Sequence, residues 1–243
     1  MLPRGWRRTT VGESASFLTG FAFTSAKFES IGVRLLRGSN VKRALVDWNP
    51  EITQHWSLSD PVLRAYELKA GDIVIAMDGA LVGRSFARIS AGDLPAYLVQ
   101  RVARLRGNTV DQSLLYAWIT SSPFAKHIDS LKTNSAIPHL SPHDIRGFAF
   151  ISPNSIDEQR SIAAAIDDVT ELIVSLGRLI VKKQAIKQGM MQQLLTGRTR
   201  LPGFEGNWLH ERLGDLSMAK SYGRSNALIE GAFRGQVVSA GCS

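Results

Sequence analysis

The feature that most constrains this chain is a proline-free stretch from Ser155 to Leu195. Apolar side chains recur in it at alternating spacings of four and three residues, and Lys183 and Lys187 interrupt the same register after Ile180. The apolar positions are Ile162, Ile166, Val169, Ile173, Leu176, Ile180, Met190 and Leu194. Because this alternation keeps one stripe on one side of a helix, it predicts a coiled-coil seam. At ~1.5 Å per residue, the stretch predicts a rod of about 60 Å.

Both ends of the stretch carry helix-boundary signals. Ser155 and Glu158 fit a Ser-x-x-Glu capping box, and Thr196-Gly197 supplies a C-terminal glycine. Acidic residues lie in the first half and basic residues in the second, so an antiparallel copy would place acid against base. They are Asp157, Glu158, Asp167, Asp168 and Glu171, then Arg178, Lys182, Lys183 and Lys187. The alternative is a helix packed along its own domain, but such a domain has a radius of gyration of only ~15 Å.

A short motif occurs on both sides of this helix. Leu-Pro followed by Trp-x4-[Val/Leu]-Gly-[Asp/Glu] starts at residue 2 and again at residue 201. This repeat predicts a tandem of domain and helix units. We therefore expect a globular domain over 1–154 and a spacer helix over 155–196. Residues 197–243 are either the start of a second, incomplete domain or a tail.

The part before the helix reads as a mixed α/β (α+β) domain. Asp78-Gly79 stands between two apolar runs and predicts a β-hairpin with a type I′ turn. Residues 96–106 predict a strand, and residues 110–128 predict a helix that ends or kinks near Pro123. The stretch 137–145 is punctuated by proline and predicts no regular structure.

The charge balance favours a polyanionic partner. The formal net charge is +8 and the pI ≈ 9.9. Residues 1–155 carry 18 Lys and Arg against 12 Asp and Glu, so most of the excess lies before the helix. The single cysteine, Cys242, fits a reducing cytoplasm. Neither a signal peptide nor an apolar run of the ~20 residues that span a bilayer is evident, so no membrane is expected as a partner.

The sequence contains only incomplete matches to methyltransferase, nuclease and metal-binding motifs. A DNA methyltransferase would need an Asn/Asp-Pro-Pro-aromatic motif, and Asn49-Pro50-Glu51 lacks the second proline. Asp60 with Glu67-Leu68-Lys69 loosely resembles a Mg²⁺ nuclease pattern, which keeps a nuclease as an alternative. His139 and His143 have no evident third ligand, so we expect loop residues rather than a metal site. We predict no catalytic residue.

Four segments together resemble the specificity subunit of type I restriction-modification systems over roughly residues 6–200. Most of the resemblance lies in the long helix and in the residues at its C-terminal end, Gln192 to Gly197 followed by Arg200. The four are "GWRRTTVGE" (5–13), "GDIVIAMDGALVGRSFARI" (71–89), "NSAIPHLSPHDIRGFAFISPNSIDEQ" (134–159) and the stretch 157–204.

The resemblance implies a non-catalytic, cytoplasmic DNA-binding protein. Members of the family carry two target recognition domains, each of which reads half of a split site on double-stranded DNA. Their two helices pair antiparallel and set the distance between the half-sites. Methyltransferase subunits dock on the helices, and a motor-nuclease subunit can join them. No cofactor is expected in this chain, whereas S-adenosylmethionine, Mg and ATP are expected on the partner subunits.

The chain departs from that pattern because it has one recognition domain and one helix. We expect a homodimer in which two copies pair through the helix and read a palindromic split site. One alternative is an inactive, truncated specificity fragment. Another is a non-catalytic protein-interaction scaffold with a dimerising helix.

Candidate DNA contacts are basic or polar residues in predicted loops and in one basic stretch. Such side chains contact base edges or phosphates. They are Lys27, Arg34, Arg37, Lys42 and Arg43 in the basic stretch, Arg84 near the Asp78-Gly79 turn, and Lys132, Thr133 and Asn134.

Overall fold

The computed structural model describes residues 2–57, 61–79, 81–131, 139–206, 208–209, 211–212 and 214. The chain forms two compact units, Met1–Val169 and Thr170–Ser243. The strands of the described residues are β1 Trp6–Thr10, β2 Ala15–Thr19, β3 Val33–Leu36, β4 Gln54–Trp56, β5 Ile73–Ala76, β6 Phe86–Arg88, β7 Ala96–Leu98, β8 Val102–Gly107 and β9 Ala149–Pro153. The α-helices are α1 Val11–Ser14, α2 Gln112–Ile119, α3 Ser122–Leu131, α4 Pro142–Arg146 and α5 Ile156–Leu195.

A four-stranded antiparallel sheet, in the order β2-β8-β5-β6, forms the centre of the first unit. Its strand β5 is apolar throughout, which is typical of a strand buried on both faces. Ile73 and Ile75 pack with α2 and α3, whereas Val74 and Ala76 pack with a second core that includes Leu36. That second core joins the sheet to a three-stranded one, β4-β3-β7, in which β3 and β7 run parallel.

The first copy of the repeated motif forms β1 and the short helix α1. Strand β1 pairs antiparallel with β9, the strand that leads into α5. Thr10 caps α1 in a reciprocal capping box with Glu13, and Val11 is fully buried. In the second copy Arg212 stands where the first has Thr10, while Leu213 and Asp215 lie outside the described residues.

The predicted hairpin around Asp78-Gly79 forms, but the predicted type I′ turn at these two residues is wrong. Strands β5 and β6 do pair antiparallel, with Ile75 opposite Phe86. However, the connection runs from residue 77 to residue 85, so the Asp-Gly pair does not close the hairpin. The predicted strand over 96–106 is also two strands, β7 and β8, which lie in different sheets.

The helical predictions between residues 110 and 145 need two corrections. The predicted helix over 110–128 divides into α2 and α3 at Thr120 and Ser121, and Pro123 lies in the first turn of α3, where proline is tolerated. The stretch 137–145 is not irregular throughout, because Ser141 caps the short helix α4 through a capping box.

The predicted long helix is confirmed as α5. The Ser155 hydroxyl accepts a hydrogen bond of 3.4 Å from the Glu158 N–H at its start. Gly197 has a φ of +72° after its end, as a C-terminal glycine requires. Trp208, from the second copy of the motif, lies against Gly197 where a side chain would clash. The Arg200 guanidinium stands 4.5 Å from the centroid of the Trp208 ring.

Buried polar contacts hold the first turns of α5 on the first unit. The Gln159 side chain is 1% exposed and bonds in two directions. It donates to the Pro153 carbonyl at 2.8 Å and accepts from the Asp111 N–H at 2.7 Å. Ala163, one turn later, is buried in the main core.

Two turns after Gln159, Asp167 of α5 makes a further contact with the first unit, through Arg88 of β6. Its guanidinium pairs with the Asp167 carboxylate at 3.2 Å and stacks 4.4 Å from the centroid of the Tyr116 ring. Burial raises the pKa of Tyr116, so its hydroxyl stays neutral beside this pair. The start of α5 is therefore fixed to the sheet and to α2.

We expect Gln159→Ala to lower the free energy of unfolding by ~1–3 kcal/mol, because the part-buried Asp111 N–H loses its acceptor and the buried Pro153 carbonyl keeps only the Ser152 hydroxyl as a donor. Urea unfolding followed by circular dichroism would measure the change. Gln188→Ala is the matched control, since Gln188 is exposed on the same helix. Equal effects of the two substitutions would contradict the role of Gln159.

Candidate nucleic-acid interface

An open cleft of about 540 Å³ lies where strands β3, β5 and β7 end. The loops that follow these strands form its walls, together with the loop around the 3-10 turn Ser25–Lys27. The lining residues are Phe23, Ser25, Phe28, Arg37, Gly38, Ser39, Asp78, Gly79, Val99, Gln100 and Arg101.

Aromatic packing supports the cleft from below. Phe23 is buried, with its ring centroid 4.9 Å from that of Trp56 and 5.9 Å from that of Tyr97. Gly20 lets the segment before Phe23 lie close to the backbone of Val99, because a Cβ at residue 20 would clash with that backbone. The loop that carries Ser25 and Lys27 therefore starts from a fixed position.

Asn40 shapes the wall that carries Arg37. Its buried side chain accepts from the Arg37 N–H at 3.1 Å and donates to the Asp47 carbonyl at 3.0 Å. The Arg37 guanidinium lies 6.0 Å from the centroid of the Phe28 ring. A cation therefore stands beside an aromatic ring at the cleft, which is a suitable surface for nucleic acid.

The opposite wall carries Asp78 and Arg101. Arg101 donates from Nη1 to Oδ2 of Asp78 at 2.7 Å, and its side chain is 64% exposed. The other carboxylate oxygen of Asp78 contacts Nδ1 of His139. Arg101 was not among the predicted DNA contacts, because the sequence "LVQRVA" is typical of a continuous strand and contains no turn residue.

The predicted DNA contacts divide between this cleft and other places. Arg37 lines the cleft, and Lys27 is exposed on the adjacent 3-10 turn. Lys42 and Arg43 are exposed on a separate turn, which the Lys42 N–H closes by donating to the Leu45 carbonyl at 3.0 Å. Of these four residues, only Arg37 lines the cleft, and Lys27 lies on the turn between the lining residues Ser25 and Phe28.

Arg34 and Arg84 are engaged within the protein. Arg34 donates to the carbonyls of Gly92 at 2.9 Å and Leu94 at 2.8 Å, and it stacks 4.6 Å from the Trp48 ring centroid. Arg84 pairs with Asp129 through two bonds, of 2.6 and 3.0 Å. Their contacts with DNA stay predictions. Lys132, Thr133 and Asn134 lie outside the described residues.

The predicted seam of α5 is largely exposed. Ile162 packs against the core of the first unit, and Leu194 is half-buried. The other six positions are 41–64% exposed: Ile166, Val169, Ile173, Leu176, Ile180 and Met190. A second apolar row runs beside the seam at seven-residue intervals, at Leu172, Leu179 and Ile186. The apolar surface of α5 is therefore wider than the seam of a two-stranded coiled coil.

Among the described residues, no three His, Cys, Asp or Glu side chains are grouped so that they could hold a metal ion. None of their helices is both long enough and apolar enough to cross a membrane. Of the residues in the loose nuclease pattern, Asp60 lies outside the described ranges.

Two relatives are similar in sequence. The type I restriction enzyme EcoAI specificity subunit of Escherichia coli is 36% identical over 199 residues, which are 79% of this chain and 32% of the relative. The MjaVIII specificity subunit of Methanocaldococcus jannaschii is 25% identical over 210 residues, 82% of this chain and 48% of the relative. The chain thus spans about a third and about half of their lengths. No family model matches it.

Solved structures share the fold. A chain from a structure that describes complex assembly and conformational transition of the type I R-M system has a TM-score of 0.61 at 19% identity, with 79% of this chain and 45% of that one covered. The HsdS subunit of Thermoanaerobacter tengcongensis has a TM-score of 0.55 at 19% identity and the same coverage. The predicted mixed α/β domain followed by a long helix is confirmed. Over about four fifths of its length, this chain is similar in sequence to two specificity subunits of type I restriction enzymes.

Proposed function

We propose that this chain recognises a DNA sequence within a type I restriction-modification complex and has no catalytic activity of its own. Residues 1–154 form the target recognition domain, 155–196 form the spacer helix, and the second copy of the motif follows from residue 201. The observation that carries the proposal is the open cleft with Arg37 and Arg101, in a domain that its relatives share.

We further propose that two copies pair antiparallel through α5. With the two-fold axis near residue 178, Ile166 lies opposite Met190, and Leu176 lies opposite Ile180. The same arrangement brings the acidic first half of one helix beside the basic second half of the other, which a parallel pair would not do. Because a two-fold axis relates the two domains, the target is a palindromic split site.

The second apolar row of α5 supports a further set of partners. Leu172, Leu179 and Ile186 extend the exposed surface beyond the seam. A helix with so wide an apolar stripe packs against more than one neighbour. We propose that methyltransferase subunits dock there and that a motor-nuclease subunit joins them in the cytoplasm. S-adenosylmethionine, Mg and ATP belong to those subunits.

We expect Arg37→Ala to weaken binding of duplex DNA about 10-fold, because it removes a cation at the cleft. The slope of log K against log salt should fall by about one. Gel shifts of the purified full chain over a series of salt concentrations measure both effects. Arg8→Ala is the matched control, because Arg8 is exposed on β1, outside the cleft.

Two outcomes of these gel shifts would count against the proposal. If the unaltered chain bound no DNA even at low salt, the protein-interaction scaffold would be the better account. If Arg8→Ala and Arg37→Ala weakened binding equally, DNA contact would depend on net charge rather than on the cleft.

A further inference from the structure

The turn between β7 and β8 places an arginine where glycine is the favoured residue. The Val99 carbonyl accepts from the Val102 N–H at 3.2 Å, so Gln100 and Arg101 are the central residues of a β-turn. Arg101 has a φ of +67°, and Gln100 does not have a positive φ. This is the pattern of a type II turn, whose third residue is usually Gly or Asn. A side chain with a Cβ costs conformational energy there.

Three neighbouring segments impose this conformation. The Val99 N–H donates to the Leu36 carbonyl at 3.1 Å, and the Gln100 N–H donates to the Phe21 carbonyl at 2.8 Å. The Arg101 carbonyl in turn accepts from the Met77 N–H at 2.9 Å. Because the backbone is fixed on these sides, the direction in which the Arg101 side chain leaves the backbone is fixed as well. Glycine would fit with less cost, so the guanidinium needs another reason to be there.

The guanidinium is oriented but only partly engaged. Its bond to Asp78 uses Nη1, and the side chain is 64% exposed at an open cleft. The Asp78 carboxylate also contacts His139, which holds it from the other side. A carboxylate at this position repels phosphate and restricts the orientation of the guanidinium through the bond to Nη1. That arrangement suits the edge of a base better than the DNA backbone.

We propose that Arg101 reads a guanine in the half-site and that Asp78 positions it. This inference rests on the proposed function. Guanine presents two acceptors, O6 and N7, at its major-groove edge, and a planar guanidinium can bind both at once. The free edge of Arg101 provides the matching pair of donors, and Asp78 holds the opposite edge.

Selection from a random DNA pool tests the inference with the full chain, using Arg101→Gly and Asp78→Asn. The original chain should enrich a half-site with guanine at one position. Arg101→Gly should lose ~5- to 150-fold of the preference for that guanine and keep the preferences at other positions. Its melting temperature should not fall, since glycine relieves the positive φ. Asp78→Asn should weaken the same preference to a smaller extent.

The possible results distinguish guanine recognition by Arg101 from the proposed DNA recognition by the chain as a whole. If Arg101→Gly kept the guanine, or if it weakened binding to all sequences equally, the inference would be overturned while DNA recognition stood. A selected site without guanine would overturn it in the same way. If the original chain enriched no sequence, the proposed function would fail and this inference with it.

Discussion

Replacing both Leu176 and Ile180 with Asp is expected to abolish self-association of this chain. In the proposed pair these residues face each other across the two-fold axis, so the double substitution places four carboxylates at the centre. Burial of an aliphatic side chain contributes ~1.5–3 kcal/mol. The loss of four such side chains therefore costs on the order of 6 kcal/mol or more, and the dissociation constant should rise by about 10⁴-fold.

Sedimentation equilibrium over a range of protein concentrations measures this change. Val174→Asp combined with Val181→Asp is the matched control, because these residues are exposed aliphatics on the same helix but off the seam. Circular dichroism should show that both double variants keep the helix. A monomeric original chain at micromolar concentration, or equal effects of the two double variants, would contradict pairing through the seam.

Replacing Asp72 with Ala is expected to lower the free energy of unfolding by ~2–3 kcal/mol, because it removes two charge-assisted hydrogen bonds with Arg106 and leaves the Lys69 N–H without its acceptor. Asp72 is 2% exposed and accepts two bonds from Arg106, of 2.5 Å from Nε and 2.8 Å from Nη2. These bonds raise the pKa of Arg106. A guanidinium stays protonated even without such a partner, so Arg106 remains charged when Asp72 is removed. Burial already lowers the pKa of the neighbouring Arg104.

Urea unfolding measures this loss, and Asp129→Ala is the matched control. Asp129 also pairs with an arginine through two bonds, but its side chain is 40% exposed and so is screened by water. The control should therefore cost much less than Asp72→Ala. Similar losses for the two variants would show that burial of the Asp72 pair is not what stabilises the sheet.

The long helix could be predicted from the sequence because its signals are local. The 4-3 spacing of aliphatic residues, Ser155 at the start and Gly197 after the end all act within a few residues of the helix. The prediction of a type I′ turn at Asp78-Gly79 was wrong because contacts with residues distant in sequence determine the structure there. The Met77 N–H bonds to the distant Arg101 carbonyl, and the Met77 carbonyl accepts from the Leu140 N–H. These tertiary contacts outweigh local turn preference.

The candidate cleft was only partly predictable. Arg37 was found because it lies in a basic stretch, but Arg34, three residues earlier, looked equivalent. What separates them is that Arg34 bonds to the loop of Gly92 and Leu94, which is distant in sequence. Arg101 gave no signal, because neither glycine nor proline marks the turn in which it lies. A cleft residue such as Arg101 can be identified only from the tertiary structure, in which the ends of β3, β5 and β7 lie next to one another.

The most direct test of the account is the form of the DNA site that the full chain selects from a random pool. If α5 pairs two identical recognition domains, the selected site will be an inverted repeat of one half-site with a fixed gap. The variant with Asp at positions 176 and 180 will lose that gap preference. An undivided site, or two unrelated half-sites, would contradict the account.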